Sequence, residues 1–294
     1  MFTGVFVDSF IITPYVEQEK AEYVWNISAG PYETATPNVL SELTFSDIKS
    51  RGYGIQLALN KMLSDSWSFY LEGSYTDNSI KDGNAQDSDY LGDSRTEEFS
   101  RSYAEISGDD DTKHSLTMGL RTRWFGKPNH YLTLLFGHQS QKNNLRFTNG
   151  IQIIPEDQEG ISLENLDSTY NSEFSSWKAG IASEHVFSFG TVGIRYESLD
   201  VEFDAEADWN LRDDLAHPVS FIHTGEGTGA TWTIGYSKKL NRLWDVFLNY
   251  FHSSYDVEDG YDHTFSAEGE GYVTTLNEVS FESKSLQIGF RYIF

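Results

Sequence analysis

Two aspartates with the spacing to do chemistry lie in the segment Asp87-Ser88-Asp89-Tyr90. In an extended segment, residues i and i+2 point to the same side, about 7 Å apart. Like charges at that distance share protons, so one carboxyl group of the pair is expected to titrate high and to act as a base toward water. The alternative interpretation is an ordinary solvated acidic loop.

The elements that position this pair are predicted to be strands. In the last segment, Leu286, Ile288, Phe290, Tyr292 and Phe294 fall on one face, and polar or small residues fall on the other. A strand that is apolar on one side, polar on the other and aromatic at its end is typical of a barrel wall in lipid. Similar period-two segments recur through the chain. An amphipathic edge strand of a soluble sheet is the alternative.

The connections between the predicted strands alternate in length. Short turns are predicted near 63–66, 126–129, 187–190 and 239–242, and long acidic loops near 28–38, 76–111, 148–171, 204–229 and 257–278. This alternation indicates an outer-membrane barrel with its long loops outside the cell. We therefore predict an all-β fold: a transmembrane antiparallel up-and-down β-barrel of about ten strands, with long extracellular loops and short periplasmic turns, as a single domain over residues 1–294.

Composition narrows the function classes. The 294 residues include 45 Asp and Glu but 21 Lys and Arg, a net charge of -24, which excludes nucleic acid as a partner and favours cationic ones. Cysteine is absent, and no zinc motif, phosphate-binding loop or nucleophile elbow occurs. His130 and His138 lie too far apart on one strand to share a metal. No metal and no cofactor are predicted.

Several short segments, taken together, resemble the omptins, a family of ten-stranded outer-membrane endoproteases. These segments are 20–25, 41–45, 87–90, 96–98 and 128–139, and strand and loop order match from about residue 10 to the end. The resemblance implies a surface endopeptidase that cleaves near basic residues. Its water is held between the Asp87/Asp89 pair and a His/Asp dyad on the fourth outer loop, and it attacks the peptide without a covalent intermediate.

The same resemblance assigns further site residues. Glu22 and Glu206 match the two acids that hold a basic substrate residue, and Glu97 lies in a further acidic loop segment of the substrate site. Asp208 matches the dyad aspartate. Asn210, however, stands where the dyad histidine is expected, and an amide cannot accept a proton from water at neutral pH.

A replacement base is available in residues 213–218. His217, oriented by Asp214 or Asp213, is the candidate, and His223 is a weaker one. The alternative for His217 is a simply solvated loop histidine.

Three functions therefore stay open. The first is an endopeptidase acting on a basic peptide or protein. The second, favoured by Asn210, is a non-catalytic barrel whose rim binds a partner, a cation or lipopolysaccharide. A diffusion channel is disfavoured, because side chains largely fill a barrel of this size. We expect a monomer in the outer membrane, in contact with lipids and lipopolysaccharide, its active rim facing outward; lipopolysaccharide is left open as an activator.

Overall fold

The computed structural model describes residues 8–31, 35–124, 127 and 129–294. These residues form eleven β-strands: β1 Ser9–Ile27, β2 Ser41–Met62, β3 Trp67–Gly92, β4 Thr96–Arg123, β5 His130–Ile154, β6 Ser162–Leu163, β7 Thr169–Phe187, β8 Gly190–Asp208, β9 Phe221–Lys239, β10 Trp244–Phe265 and β11 Gly271–Ile293. A 3-10 turn spans Glu156–Gln158. Within those ranges, no helix is long and apolar enough to cross a membrane.

Ten long strands form a closed antiparallel ring. Each pairs with its neighbours in the chain, and the ring closes where β1 pairs with β11, with Val16 opposite Ile288. The two-residue strand β6 lies beside β5 without entering the ring. The predicted up-and-down β-barrel is confirmed. One end, the turn end, carries the connections 63–66, 188–189 and 240–243; the other, the mouth end, carries 93–95, 155–168, 209–220 and 266–270.

The predicted loop boundaries at the mouth end are wrong. The segment 76–111 is almost entirely strand, because β3 continues to Gly92 and β4 begins at Thr96. The predicted loops 148–171, 204–229 and 257–278 are also shorter than expected, because the flanking strands continue into them. The predicted turn 126–129 includes residues 126 and 128, and the predicted loop 28–38 includes residues 32–34; these residues lie outside the described part of the chain.

Along a strand, from the turn end to the mouth end, the outward face of the wall changes from apolar to polar and the inward face changes from polar to apolar. Near the turn end of β11, Leu286, Ile288 and Phe290 point outward with 45%, 49% and 52% of their surface exposed. Toward the mouth end of the same strand, Val279 and Phe281 point inward and are buried. The first half therefore suits hydrocarbon outside and polar groups inside, whereas the second half suits water outside and an apolar core inside.

An aromatic core fills the barrel in its mouth half, and we call it the apolar plug. Its aromatic members are Tyr23, Trp25, Phe45, Phe147, Tyr170, Phe174, Phe203, Phe221, Tyr255 and Phe281. All ten wall strands contribute buried residues to the cluster around these rings. Ring centroids of Tyr23 and Phe45 lie 5.1 Å apart, and those of Phe174 and Phe203 lie 4.9 Å apart, which is ordinary aromatic packing.

The transmembrane half has a charged interior. Arg195 contacts Glu197 at 2.7 Å and Glu72 at 3.3 Å, and Arg121 contacts Glu184 at 3.1 Å. Buried charges require such partners, because an isolated ion loses its hydration. The predicted polar-in arrangement is therefore correct for this half of the barrel.

Candidate functional site

Asp87 and Asp89 point into the barrel at its mouth. In the transmembrane half of β3 the even-numbered residues, such as Thr76, point inward and are buried. The ladder between β3 and β4 is irregular between Ile80 and Asn84. Such a bulge changes which residues face the interior. Beyond it the odd-numbered residues point inward, and this shift is what brings the two carboxylates to the lumen.

The two aspartates line a cavity of about 280 Å³, which we call the mouth pocket. Its apolar wall consists of Leu43, Ala85, Ala104, Phe147, Leu163, Leu166, Trp209 and Leu211. Its polar groups are Asp87, Asp89, Ser100, Ser102, Gln152, Ser168 and Arg212. The pocket thus joins a carboxylate pair and one guanidinium group to an apolar surface. Among the residues that the structure describes, no histidine lines it.

The carboxylate pair holds a proton near neutrality. Burial, and then the charge of Asp89, raise the pKa of Asp87 to about 7, although Arg212 and a hydrogen bond from Ser41 oppose the rise. Burial also raises the pKa of Asp89 above its ordinary value. Two carboxyl groups this close keep about one proton between them, in line with their spacing.

Arg212 is the site residue that the sequence reasoning missed. It donates two hydrogen bonds to Asp214, from Nε to Oδ1 at 2.8 Å and from Nη2 to Oδ2 at 2.7 Å. These bonds lower the pKa of Asp214 to about 2. Asp214 is therefore the partner of Arg212, and the predicted pairing of Asp214 with His217 does not form. No local sequence pattern shows which way the side chain of a single basic residue in an acidic loop points.

His217 pairs instead with Asp208, whose Oδ1 lies 2.6 Å from His217 Nδ1. Asp208 is opposite Thr169 in the ladder of β7 and β8, and the adjacent pair, Tyr170 and Ala207, is buried in the apolar plug. Because strand residues alternate between faces, Asp208 lies on the outward side of the wall. The structure therefore brings Asp208 and His217 together but does not bring them into the mouth pocket with the aspartate pair.

Asn210, at the position expected for the dyad histidine, fastens two loops together. Its Oδ1 accepts hydrogen bonds from the backbone N–H of Asp167 at 2.8 Å and from the hydroxyl of Ser168 at 3.0 Å. Its Nδ2 donates to the carbonyl of Asn165 at 2.8 Å. The side chain is engaged on both sides and faces the segment before β7.

The three predicted substrate-binding acids do not form a pocket. Glu22 and Glu206 are exposed on the outer wall, because the adjacent Tyr23 and Ala207 occupy the inward positions of a period-two strand. Glu97 is exposed at the start of β4, with φ 55°. None of the three lines the mouth pocket, so their role in substrate binding stays a prediction.

A second His/Asp pair is buried beneath the mouth. His223 Nε2 lies 3.5 Å from Asp262 Oδ1, and each side chain is 1% exposed. Tyr170 contacts His223 Nδ1 at 3.0 Å, and the hydroxyls of Thr264 and Thr274 donate to Asp262. Burial lowers the pKa of His223 to about 3 and raises that of Asp262. This pair belongs to the apolar plug and is closed to substrate.

Comparison with solved structures supports the fold. The outer membrane protease OmpT from Escherichia coli matches with a TM-score of 0.77 and 13% sequence identity, covering 100% of this chain and 98% of that chain. Weaker matches include the translocator domain of the autotransporter NalP from Neisseria meningitidis (TM-score 0.38, 11% identity, 98% and 89% coverage) and the outer membrane protein OprG from Pseudomonas aeruginosa (0.33, 12%, 98% and 96%). At 13% identity the likeness to OmpT shows the fold alone.

The family is shown by sequence. No curated protein matches the chain significantly. A family model does match, over residues 19–294, and thus covers the mouth pocket and nearly the whole barrel wall. The chain is an outer-membrane β-barrel, and it belongs to the family described as Pom, Protochlamydia outer membrane protein.

Proposed function

We propose that this barrel binds a cationic side chain of a peptide or protein in its mouth pocket, facing the outside of the cell, and does not cleave it. One observation carries the proposal: Asp87 and Asp89 face a cavity whose described lining contains no imidazole. A hydrolase of the omptin type needs a base beside the water that the aspartates hold. The exposed pair of Asp208 and His217 is formed on the outward side of the wall.

The composition of the mouth pocket suits a long basic side chain. Its apolar wall can cover the methylene stem of Lys or Arg, and the aspartate pair can meet the charged head. Because the pKa of Asp87 is about 7, the pair shares a proton below neutral pH, and its negative charge grows as the pH rises through 7. Arg212 lowers the pKa of both aspartates, but it is also bound by Asp214 through two hydrogen bonds, so these four groups together remain negative.

The test compares binding and cleavage in one sample. Detergent-solubilised protein is titrated into a fluorescent dibasic peptide, and the peptide mass is read after prolonged incubation. We expect Asp87→Asn with Asp89→Asn to weaken binding on the order of tenfold or more, since charge-assisted contacts contribute about 1.5–3 kcal/mol each. Glu22→Gln with Glu206→Gln also replaces two carboxyl groups by amides, but on the outer wall, and should leave affinity unchanged. Equal losses in both double variants would refute a pocket-specific site.

An omptin-like endopeptidase is the second candidate, and two observations favour it. Asp87 has a pKa of about 7, suited to proton transfer, and the Asp208–His217 pair is already formed. This function requires the loop 209–220 to turn His217 over the mouth pocket, with lipopolysaccharide as one candidate trigger. Cleavage of a dibasic reporter that is lost in both Asp87→Ala and His217→Ala would decide for the protease and against simple binding.

A further inference from the structure

Two histidines meet on the outward face at the turn end of the barrel, far from the mouth pocket. His130 and His185 are directly opposite each other in the antiparallel ladder of β5 and β7. Their Nδ1 atoms lie 2.6 Å apart, and their ring centroids lie 4.9 Å apart. Both side chains are half-buried, and the pair lies within two residues of the turn-end limits of β5 and β7.

The short nitrogen–nitrogen contact defines the protonation of the pair. Two imidazole nitrogens at this distance must share one proton, with an N–H on one ring facing a lone pair on the other. His185 Nε2 lies 3.0 Å from the hydroxyl of Ser183. When Nε2–H donates to that hydroxyl, the Nδ1 lone pair of His185 is left facing His130. A ligating histidine whose second nitrogen is held in this way is the arrangement found at metal sites.

We propose that a divalent transition metal ion, of the Zn²⁺ or Cu²⁺ class, binds between the two Nδ1 atoms in place of the shared proton. Imidazole is a preferred ligand of these ions. With metal–nitrogen bonds of about 2.0–2.1 Å, a tetrahedral angle sets the two nitrogens about 3.3 Å apart. Small rotations of the two rings open the contact by that amount. The proton on His130 Nδ1 moves through solvent to Nε2 of the same ring, so both imidazole ligands stay neutral.

The site offers two protein ligands. Across residues 8–31, 35–124, 127 and 129–294, no cluster of three or more His, Asp or Glu side chains is arranged to hold a metal ion. Water therefore completes the coordination sphere. The ion would link β5 to β7, and with them the turn-end segments that precede β5 and follow β7.

The experiment uses full-length protein without a polyhistidine tag, in detergent. Zn²⁺ binding is followed by calorimetry, and the number of nitrogen ligands is read from the Cu²⁺ electron paramagnetic resonance spectrum. We expect one equivalent with two nitrogens. His130→Ala and His185→Ala should each weaken binding by about tenfold or more and leave at most one nitrogen, and Ser183→Ala should weaken it to a smaller extent.

His138→Ala is the matched control, because His138 lies on the same strand and bonds to Ser175 outside the pair. Its variant should keep both the affinity and the two-nitrogen spectrum. Heat-dependent mobility in gels verifies that every variant is folded. Unchanged affinity and spectrum in folded His130→Ala and His185→Ala would overturn the proposal, as would an equal loss in His138→Ala.

Discussion

His217 and Asp208 form a close pair, 2.6 Å between Nδ1 and Oδ1, on the side of β8 that faces away from the mouth pocket. A hydrogen-bonded His/Asp pair and a high-pKa aspartate pair are thus both present at one rim without sharing a cavity. The two pairs lie on opposite faces of the wall, and the consequences of this separation can be tested residue by residue.

His217→Ala should leave cationic peptide affinity within about twofold of the wild type, because the imidazole does not line the mouth pocket and surface pairs contribute about 0–1 kcal/mol. Polarisation titration of the labelled peptide measures this. A loss of tenfold or more would mean that the loop brings His217 to the ligand.

Asn210→His should not create peptidase activity, because the side chain at this position faces residues 165–168 and not the aspartate pair. It should lower the free energy of unfolding by about 1–3 kcal/mol, since several hydrogen bonds that fasten the two loops are lost. Denaturant unfolding and peptide mass spectrometry are the readouts. Asn210→Ala, which loses the same bonds, should be destabilised to a similar extent; an active Asn210→His variant would contradict the observed orientation.

Cationic peptide binding should tighten as the pH rises from 6 to 8, because Asp87, with its pKa of about 7, gains negative charge over that interval. Ionisation of one group with this pKa rises from about a tenth to about nine-tenths, so the affinity should change by up to about tenfold. The Asp87→Asn variant serves as the control and should show a flat profile. The same slope in wild type and variant would assign the titration to another group.

The same carboxyl group should make stability fall as the pH rises. The folded-state pKa of Asp87 is raised above the unfolded value of about 3.9, so the folded state binds the proton more tightly. Its contribution is complete below about pH 4 and is lost as the pH passes through about 7. After screening by solvent, we expect a loss of about 1–2 kcal/mol, measured by denaturant unfolding at several pH values. Asp87→Asn should remove most of that slope.

The apolar plug should prevent ion flow. Phe174 is 1% exposed and contacts the rings of Phe203, Tyr255 and Phe281, so the lumen at this height is packed. We expect no steady single-channel conductance in a planar bilayer. Phe174→Ala should lower the free energy of unfolding by about 3–5 kcal/mol without opening a pore, as for other buried Phe→Ala changes. Stable conductance of the wild type would show that the plug is not closed.

The sequence alone predicts the barrel correctly in the half of the strands where apolar side chains face outward and polar side chains face inward. The period-two pattern of Leu286, Ile288 and Phe290 correctly indicated a lipid-facing wall. The mouth half is predicted as loops because its pattern is reversed: Ala205 and Ala207 point inward, beside the outward carboxylates of Asp204 and Glu206, a composition that resembles a loop. At this point the apolar residues move from outward to inward positions, a change that the lipid-facing pattern alone does not distinguish from the end of a strand.

The site could be predicted only in part, because its geometry depends on pairing between strands. The inward direction of Asp87 depends on the irregularity between Ile80 and Asn84, which becomes visible only in the β3–β4 ladder. The contact of His130 with His185 joins residues 55 apart in the chain. Local spacing cannot report such contacts, whereas the i, i+2 spacing of the two aspartates lies within one strand and predicts that their carboxyl groups point to the same side.

The exchange of polarity between the two faces also fixes the height of the barrel in the bilayer. On β8, Ile194 and Asp200 are both outward, six residues or about 20 Å apart along the strand. If the barrel were inserted more deeply, a belt of outward carboxylates would enter the hydrocarbon, with a free-energy cost of about 2.5–3.5 kcal/mol for each one that reached the centre. If it were inserted less deeply, outward leucines and isoleucines would be exposed to water. The barrel therefore has one favoured depth in the bilayer, and a bilayer of different hydrophobic thickness must thin or thicken around it.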